Sequence, residues 1–456
     1  MDAAVANKDL RVQVNNRQIL SIALPITLAV LVPQINMLVN SIFLGQLSEE
    51  ALGNAGITGV YYLIFAVAGS GLNNAMQSVF SRHAGSGDTT QFRVILAQGI
   101  RISIQFSLIC IAFTWFVAPA ILEAVADPKH FPAEMSFLKI RIWGLPFLYL
   151  FQMGNAFLVS SLNSRLLMIG FFCEAMVNIV LDYLLIFGHF GFPKMGFNGA
   201  AWASVIAECT GMIVVLIVLN RSGLQKQYGL LQSFQHHKSI SKDIIKVSVP
   251  LMMQYIISVA TWLVFFLLIE TRGATAKAIS NTMRNVFGMA GVFVWAFAAT
   301  SNTMVSNLIG QGRTDLVIPA IRRIMAWSLG ACSIMVLLLN LFPDMFFNMF
   351  GQDEGFVQEG IPVIRMVSVG MLFMSMANIW LNAVTGTGQT KVNLAIELIA
   401  IGLYMGYTWY FMKVNYVNLA MAWSNEFVYW ISILIMASWF LLSGKWRKGV
   451  SAENRP

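Results

Sequence analysis

The sequence predicts an all-α polytopic membrane protein, with twelve transmembrane helices in two pseudo-symmetric six-helix lobes arranged as parallel repeats. Three observations predict it. The 456 residues are 57% hydrophobic and only 11% charged, with a mean hydropathy of +0.69, too apolar for a water-soluble chain of this size. Apolar stretches of roughly 20 residues, the length that crosses a bilayer, recur from end to end. Finally, the two halves of the chain share landmarks at a nearly constant offset.

The spans follow in order. The first, 17–44, starts after Arg17 and carries Pro25 and Pro33. The second, 54–81, runs into the turn "SRHAGSGDT". The third, 93–117, contains Arg101, and the fourth, 136–160, contains Lys139, Arg141 and the stretch "WGLPF". The fifth, 166–188, follows Arg165 and includes "CEAMVNIVLDYLLIFG"; the sixth, 197–220, ends before Arg221. After the longest connection, 221–243, the seventh span, 244–269, carries Pro250 near its start. The eighth, 278–307, contains Arg284 and leads into "SNLIGQGRT". The last four are 317–341, 361–384, 391–412 and 418–442. Stretches such as "GMIVVLIVLN" are apolar on every side, which excludes the alternating pattern of a membrane barrel.

Pro25 and Pro250 differ by 225 positions, and so do the starts of "SRHAGSGDT" (81) and "SNLIGQGRT" (306). "WGLPF" at 143 faces "VGMLF" at 369, and "AAWAS" at 200 faces "MAWSN" at 421. Six spans per half make the repeats parallel, related by an axis along the membrane normal. The expected organisation is an amino-terminal lobe over 1–220, a cytoplasmic connection over 221–243, and a carboxy-terminal lobe with its tail over 244–456.

The net charge of +8 reads as topology. Lys8, Arg11 and Arg17 precede the first span, and connections on the same side carry Arg82, Arg93, Arg165, Arg221, Lys238, Arg313 and Arg322, with Lys445, Arg447 and Lys448 in the tail. The opposite connections hold Glu50, Glu123, Asp127, Asp344, Asp353 and Glu359. Cations favour the cytoplasmic side, so both termini are expected there. A nucleic-acid partner is not. The polar amino terminus resembles no cleaved signal peptide, and the four cysteines, all within spans, read as small apolar residues.

Glu174, Asn178 and Asp182 stand four residues apart within the fifth span, so on a helix they share one face. An ionised carboxylate is costly in lipid, and burial keeps the acid neutral unless a cation joins it. The stripe therefore reads as a cation switch. Asp182 holds a proton, or with Asn178 and Glu174 offers oxygens to a sodium ion. Pro25 and Pro33 remove backbone hydrogen bonds from the first span and make it a candidate hinge. For Glu174 the structural alternative is a hydrogen bond to a neighbouring helix. Glu208, Glu397 and Glu426 lack a second acid at helical spacing and read as structural bonding or cavity lining.

The order "ALP" opening span one, "NSIFLGQLSEEALGNAG" closing it, "AGSGD" after span two, "NIVLDYLLIFG" in span five, "GFNGAAWASVIAE" in span six and "LIGQG" after span eight resembles the multidrug and toxic compound extrusion (MATE) family over nearly the whole chain. The resemblance implies a monomeric, multi-pass antiporter of the bacterial inner (plasma) membrane. Such a protein expels small amphipathic, often cationic, organic compounds in exchange for sodium ions or protons, by rocking of two lobes among membrane lipids. It also implies a cation site in which Asn178 and Asp182 match the family's Asn-xxx-Asp pair, Asn40 stands where an Asp is usual, and Ser204 takes the helix-six position. Glu174 then restores the charge missing at Asn40. In the carboxy-terminal lobe, Ser258 replaces the acid the family places about eight residues after the span-seven proline, which favours coupling through the amino-terminal lobe.

Two other classes of membrane protein share this span count or this hydropathy. A flippase for lipids or lipid-linked saccharides would require a more cationic cavity for pyrophosphate. A membrane enzyme or ATPase would require a motif such as HExxH, a usable GxSxG or a Walker loop, and none is present; no cofactor is expected beyond the coupling ion.

Overall fold

The computed structural model describes residues 9–123, 128–232, 235–348, 354–415 and 417–447; of the charges invoked for topology, Lys8, Asp127, Asp353 and Lys448 lie outside them. Among the described residues, twelve helices are long and apolar enough to cross a membrane, and no strand occurs. They are α1 (Asn16–Leu47), α2 (Glu50–Ser86), α3 (Thr89–Phe116), α4 (Phe131–Ser160), α5 (Ser164–Phe187) and α6 (Phe197–Arg221), then α7 (Lys238–Glu270), α8 (Thr275–Gly310), α9 (Thr314–Leu341), α10 (Gly355–Gly386), α11 (Thr390–Val414) and α12 (Leu419–Leu442).

Several helices overrun the apolar stretches that announce them, and at α2 the caps set both ends. Ser48 Oγ accepts from the Ala51 amide at 3.0 Å and starts α2; Gly87 ends it in the left-handed region at φ 81°, where a Cβ would be strained. Leu38, Ile109, Ile334 and Trp439 are 62–65% exposed. Large apolar side chains standing so far outside the fold are what a lipid solvent permits.

The chain divides into two compact units. The first comprises residues up to Leu10 and Leu24–Met252, the second Arg11–Ala23 and the chain from Met253 onward. In the first, α4 packs against α2, α3 and α6, and α5 pairs with α6. In the second, α10 packs against α8, α9 and α12, and α11 pairs with α12. One plan is built twice, on the fourth helix of each half. Matching hydrogen bonds hold it: Ser81 Oγ donates to Ser160 Oγ at 3.0 Å between α2 and α4, and Ser306 Oγ donates to the Gly386 carbonyl at 2.8 Å between α8 and α10. Their offsets, 306 − 81 = 225 and 386 − 160 = 226, are those of the sequence landmarks.

Aromatic packing fills each core. Phe80, Phe92 and Phe157 meet edge to face with centroids 5.6–5.8 Å apart in the first unit. In the second, fully buried Trp423 stacks on Phe287 and donates its indole N–H to Ser280 at 3.1 Å. That bond matters because a buried indole N–H without an acceptor costs about 1–3 kcal/mol.

The second unit also fixes the segment leading into α1. The Val12 amide donates to Asn307 Oδ1 at 3.0 Å, Gln311 Nε2 donates to the Val12 carbonyl at 3.0 Å, and Arg323 donates to the Val14 carbonyl at 2.7 Å. The segment leading into α7 is held in the first unit: Gln98 Nε2 donates to the Gln235 carbonyl, and Ser241 Oγ to Gln98 Oε1, both at 2.8 Å.

Candidate functional site

The acidic stripe lies on α5, which is continuous from Leu167 to Phe187. Asp182 is 0% exposed and Asn178 4%. Asn178 Nδ2 donates to Asp182 Oδ2 at 3.0 Å, the reach of two side chains one turn apart. From α1, Asn36 Nδ2 donates to Asn178 Oδ1 at 2.8 Å. A relay of amides thus runs from α1 to the carboxyl of α5.

The relay leaves acceptors over. Asp182 Oδ1, Asn36 Oδ1, Asn40 Oδ1 and Glu174 Oε2 are each buried with no hydrogen-bond partner among the described residues. Buried oxygens without donors are costly, and oxygens with free lone pairs are what a proton or a dehydrated sodium ion requires. The residues present therefore fit a small cation. No three His, Cys, Asp or Glu side chains converge as metal ligands among the described residues.

Asn178 and Asp182 are joined directly. Asn40 is half-buried on α1, and Asn36, one turn earlier, makes the bond to α5. Glu174 stands beside α6: a Cβ on Gly211 would come within 2.9 Å of Glu174 Oε2. Ser204 is buried on α6 at 9% exposure. Pro25 and Pro33 lie inside α1, which continues through both.

A second buried centre lies in the same unit. Arg141, near the end of the first segment of α4, donates to both carboxylate oxygens of Glu208 on α6, at 2.8 and 2.6 Å. Its guanidinium lies 3.6 Å from the Tyr62 ring centroid, and the Tyr62 hydroxyl donates to the same carboxylate at 2.9 Å. Glu208 is thus fully engaged, as an acid in lipid must be if it is to stay charged. Lys139, two residues before Arg141, lies over the Trp115 ring at 5.3 Å, and Arg284 of α8 over Phe266 at 5.7 Å.

Sequence reasoning missed Asn36 and the Arg141–Glu208 pairing. Asn36 had a signal, an amide in an apolar span one turn from another amide; the Arg141–Glu208 pair joins residues 67 apart and had none.

Known proteins agree with this architecture. The MatE family model matches residues 25–184 and again 250–409, the same 225-residue offset. A probable multidrug resistance protein NorM of Thermotoga maritima is 23% identical over 444 residues, covering 95% of this chain and 93% of that protein. Among solved structures, a MATE in complex with MaL6 superposes with a TM-score of 0.85 at 17% identity, covering 97% of this chain and 98% of the other. An outward-facing multidrug resistance MATE family transporter of the MOP superfamily gives 0.83 at 18% identity, with 97% of each chain covered.

Proposed function

Because this chain belongs to the MatE family, we propose that it is a cation-coupled antiporter that exports amphipathic organic compounds, with the coupling ion taken up at Asp182. Members of the family are transporters rather than enzymes, and the twelve apolar helices make this chain a multi-pass membrane protein. The relative from Thermotoga maritima is named a probable multidrug resistance protein. The observation that carries the reading is the Asn36–Asn178–Asp182 relay, which ends on a carboxyl oxygen that is buried and unmatched.

The chemistry follows from that atom. With Asp182 ionised, Oδ2 accepts from Asn178 and Oδ1 has nothing, so the empty state is costly in a site that excludes water. A proton on Oδ1, or a sodium ion held by Asp182 with Asn178, Asn36 and Glu174, removes the cost. Occupancy reaches α1 through the Asn36–Asn178 bond. Pro25 and Pro33 each take a backbone donor out of α1, so α1 bends at lower cost than an unbroken helix. Bending and straightening of α1 then alternate the access of organic cargo between the two sides, the lobes moving as bodies and both termini remaining cytoplasmic.

A flippase for pyrophosphate-bearing lipids finds less support, because Arg141, a buried cation of the first unit, is committed to Glu208. Purified protein in liposomes, loaded with a fluorescent organic cation, tests the reading under separately imposed sodium and proton gradients. Efflux driven by one of them supports it. Efflux driven by neither, with lipid scrambling in its place, would replace it.

A further inference from the structure

Glu397 on α11 is 1% exposed, and side chains from two other helices donate to its carboxylate. The hydroxyls of Ser258 on α7 and Tyr429 on α12 both donate to Oε1, while Gln254 Nε2 on α7 reaches Oε2 at 3.3 Å. No Lys, Arg or His pairs with Glu397 among the described residues. The other titratable groups facing the cluster are Tyr404 on α11, whose ring is 5.7 Å from that of Tyr429, and Glu426 on α12, which accepts from Trp430 Nε1 at 2.9 Å. An anion so deep in lipid is normally paired with a cation; this one has only neutral donors.

A second observation points to what the cluster takes. Gln254 is 7% exposed, and its Oε1 is buried with no partner among the described residues. The amide spends its nitrogen on Glu397 and leaves its oxygen unmatched. If Oε2 gains a proton it becomes a donor, and the Gln254 amide, turned over, presents Oε1 to accept it. One N–H···O bond breaks, one O–H bond and one O–H···O bond form, and the carboxyl goes from one negative charge to none. The same neighbours serve both charge states. A proton needs only one further acceptor, the Gln254 oxygen, whereas a sodium ion must gather several oxygens around itself at once.

We propose that Glu397, with Ser258, Gln254 and Tyr429, is a proton-binding site of the second repeat. It draws on α7, α11 and α12, the first, fifth and sixth helices of that repeat, as the Asp182 relay draws on α1 and α5 of the first. Glu397 falls two residues from the repeat position of Glu174 (174 + 225 = 399). The carboxyl comes from α11, and Ser258 of α7 meets it with a hydroxyl. Its use in coupling rests on the exporter reading above; its protonation does not.

Infrared difference spectroscopy of the full-length protein, titrated with acid in the absence of organic substrate, tests the site directly. The expected result is a carboxylic-acid carbonyl band that is lost in Glu397→Gln, moves to higher frequency in Gln254→Leu because the acid has lost its acceptor, and does not respond to sodium at fixed pH. A band unchanged in Glu397→Gln would overturn the proposal, as would a band that sodium displaces at constant pH. Should Glu397→Gln fail to fold, an unshifted band in Gln254→Leu overturns it equally. Wild-type liposomes without efflux under any gradient would defeat the exporter reading while leaving this spectroscopic result standing.

Discussion

Asn36 of α1 donates to Asn178 of α5 at 2.8 Å, and this bond ties the proline-bearing helix to the buried carboxyl of Asp182. Asn178 in turn spends its own amide on Asp182 at 3.0 Å. Neither amide can be replaced by an apolar group without leaving a buried polar atom behind.

Asn36→Leu should therefore weaken cation binding more than Asn40→Leu, since Asn40 makes no hydrogen bond to α5. Loss of one donor to a buried acceptor is worth about 1–3 kcal/mol, or about 5- to 150-fold in an equilibrium constant. The check is the cation concentration giving half-maximal efflux, which should rise within that range for Asn36→Leu and move little for Asn40→Leu.

Glu174 tests whether the first lobe needs a second acid. Glu174→Gln should impair coupling, and adding Asn40→Asp should restore part of it by returning the charge to α1. Gradient-driven efflux of the single and double variants measures this. Normal transport by Glu174→Gln would assign its carboxyl to packing beside Gly211 instead.

The Arg141–Glu208 pair should matter to stability. Glu208→Gln leaves a buried guanidinium without its counter-charge, and breaking a buried pair from one side costs about 3–5 kcal/mol. Gly144→Ala should fail for a different reason, since its Cβ would overlap Glu208 Oε2 and crowd Arg141 Nη1. Both variants should unfold at lower temperature in detergent, and a double variant should lose less than the sum, because the two act on one contact.

The amino-terminal segment gives a local test. Asn307→Leu removes the acceptor of the Val12 amide, so hydrogen exchange at Val12 should accelerate by about 5- to 150-fold, for about 1–3 kcal/mol. Exchange in the core of α10 should not change.

Much of this architecture is legible in the sequence, for physical reasons. A span must be apolar for roughly 20 residues, so each helix announces itself; prolines and glycine turns need particular backbone conformations, so the 225-residue repeat survives where side chains have diverged. Asn178 and Asp182 are legible because a polar pair one turn apart in an apolar span is conspicuous. Partners on other helices are not. Glu397 reads as an isolated acid along α11, yet it meets Ser258 and Gln254 from some 140 residues before it and Tyr429 from 32 after it. Arg141 reads only as a charge within the fourth span, and it is paired with Glu208 of α6.

Asp182 carries the central claim, and Asp182→Asn tests it most directly because it keeps shape and removes the ionisable group. The measurement is uphill accumulation of a fluorescent organic cation by proteoliposomes under an imposed cation gradient, with substrate binding recorded on the same preparation. The account predicts that the variant binds substrate but no longer moves it against its gradient. Uphill transport by Asp182→Asn at the wild-type rate would contradict it and remove Asp182 from coupling.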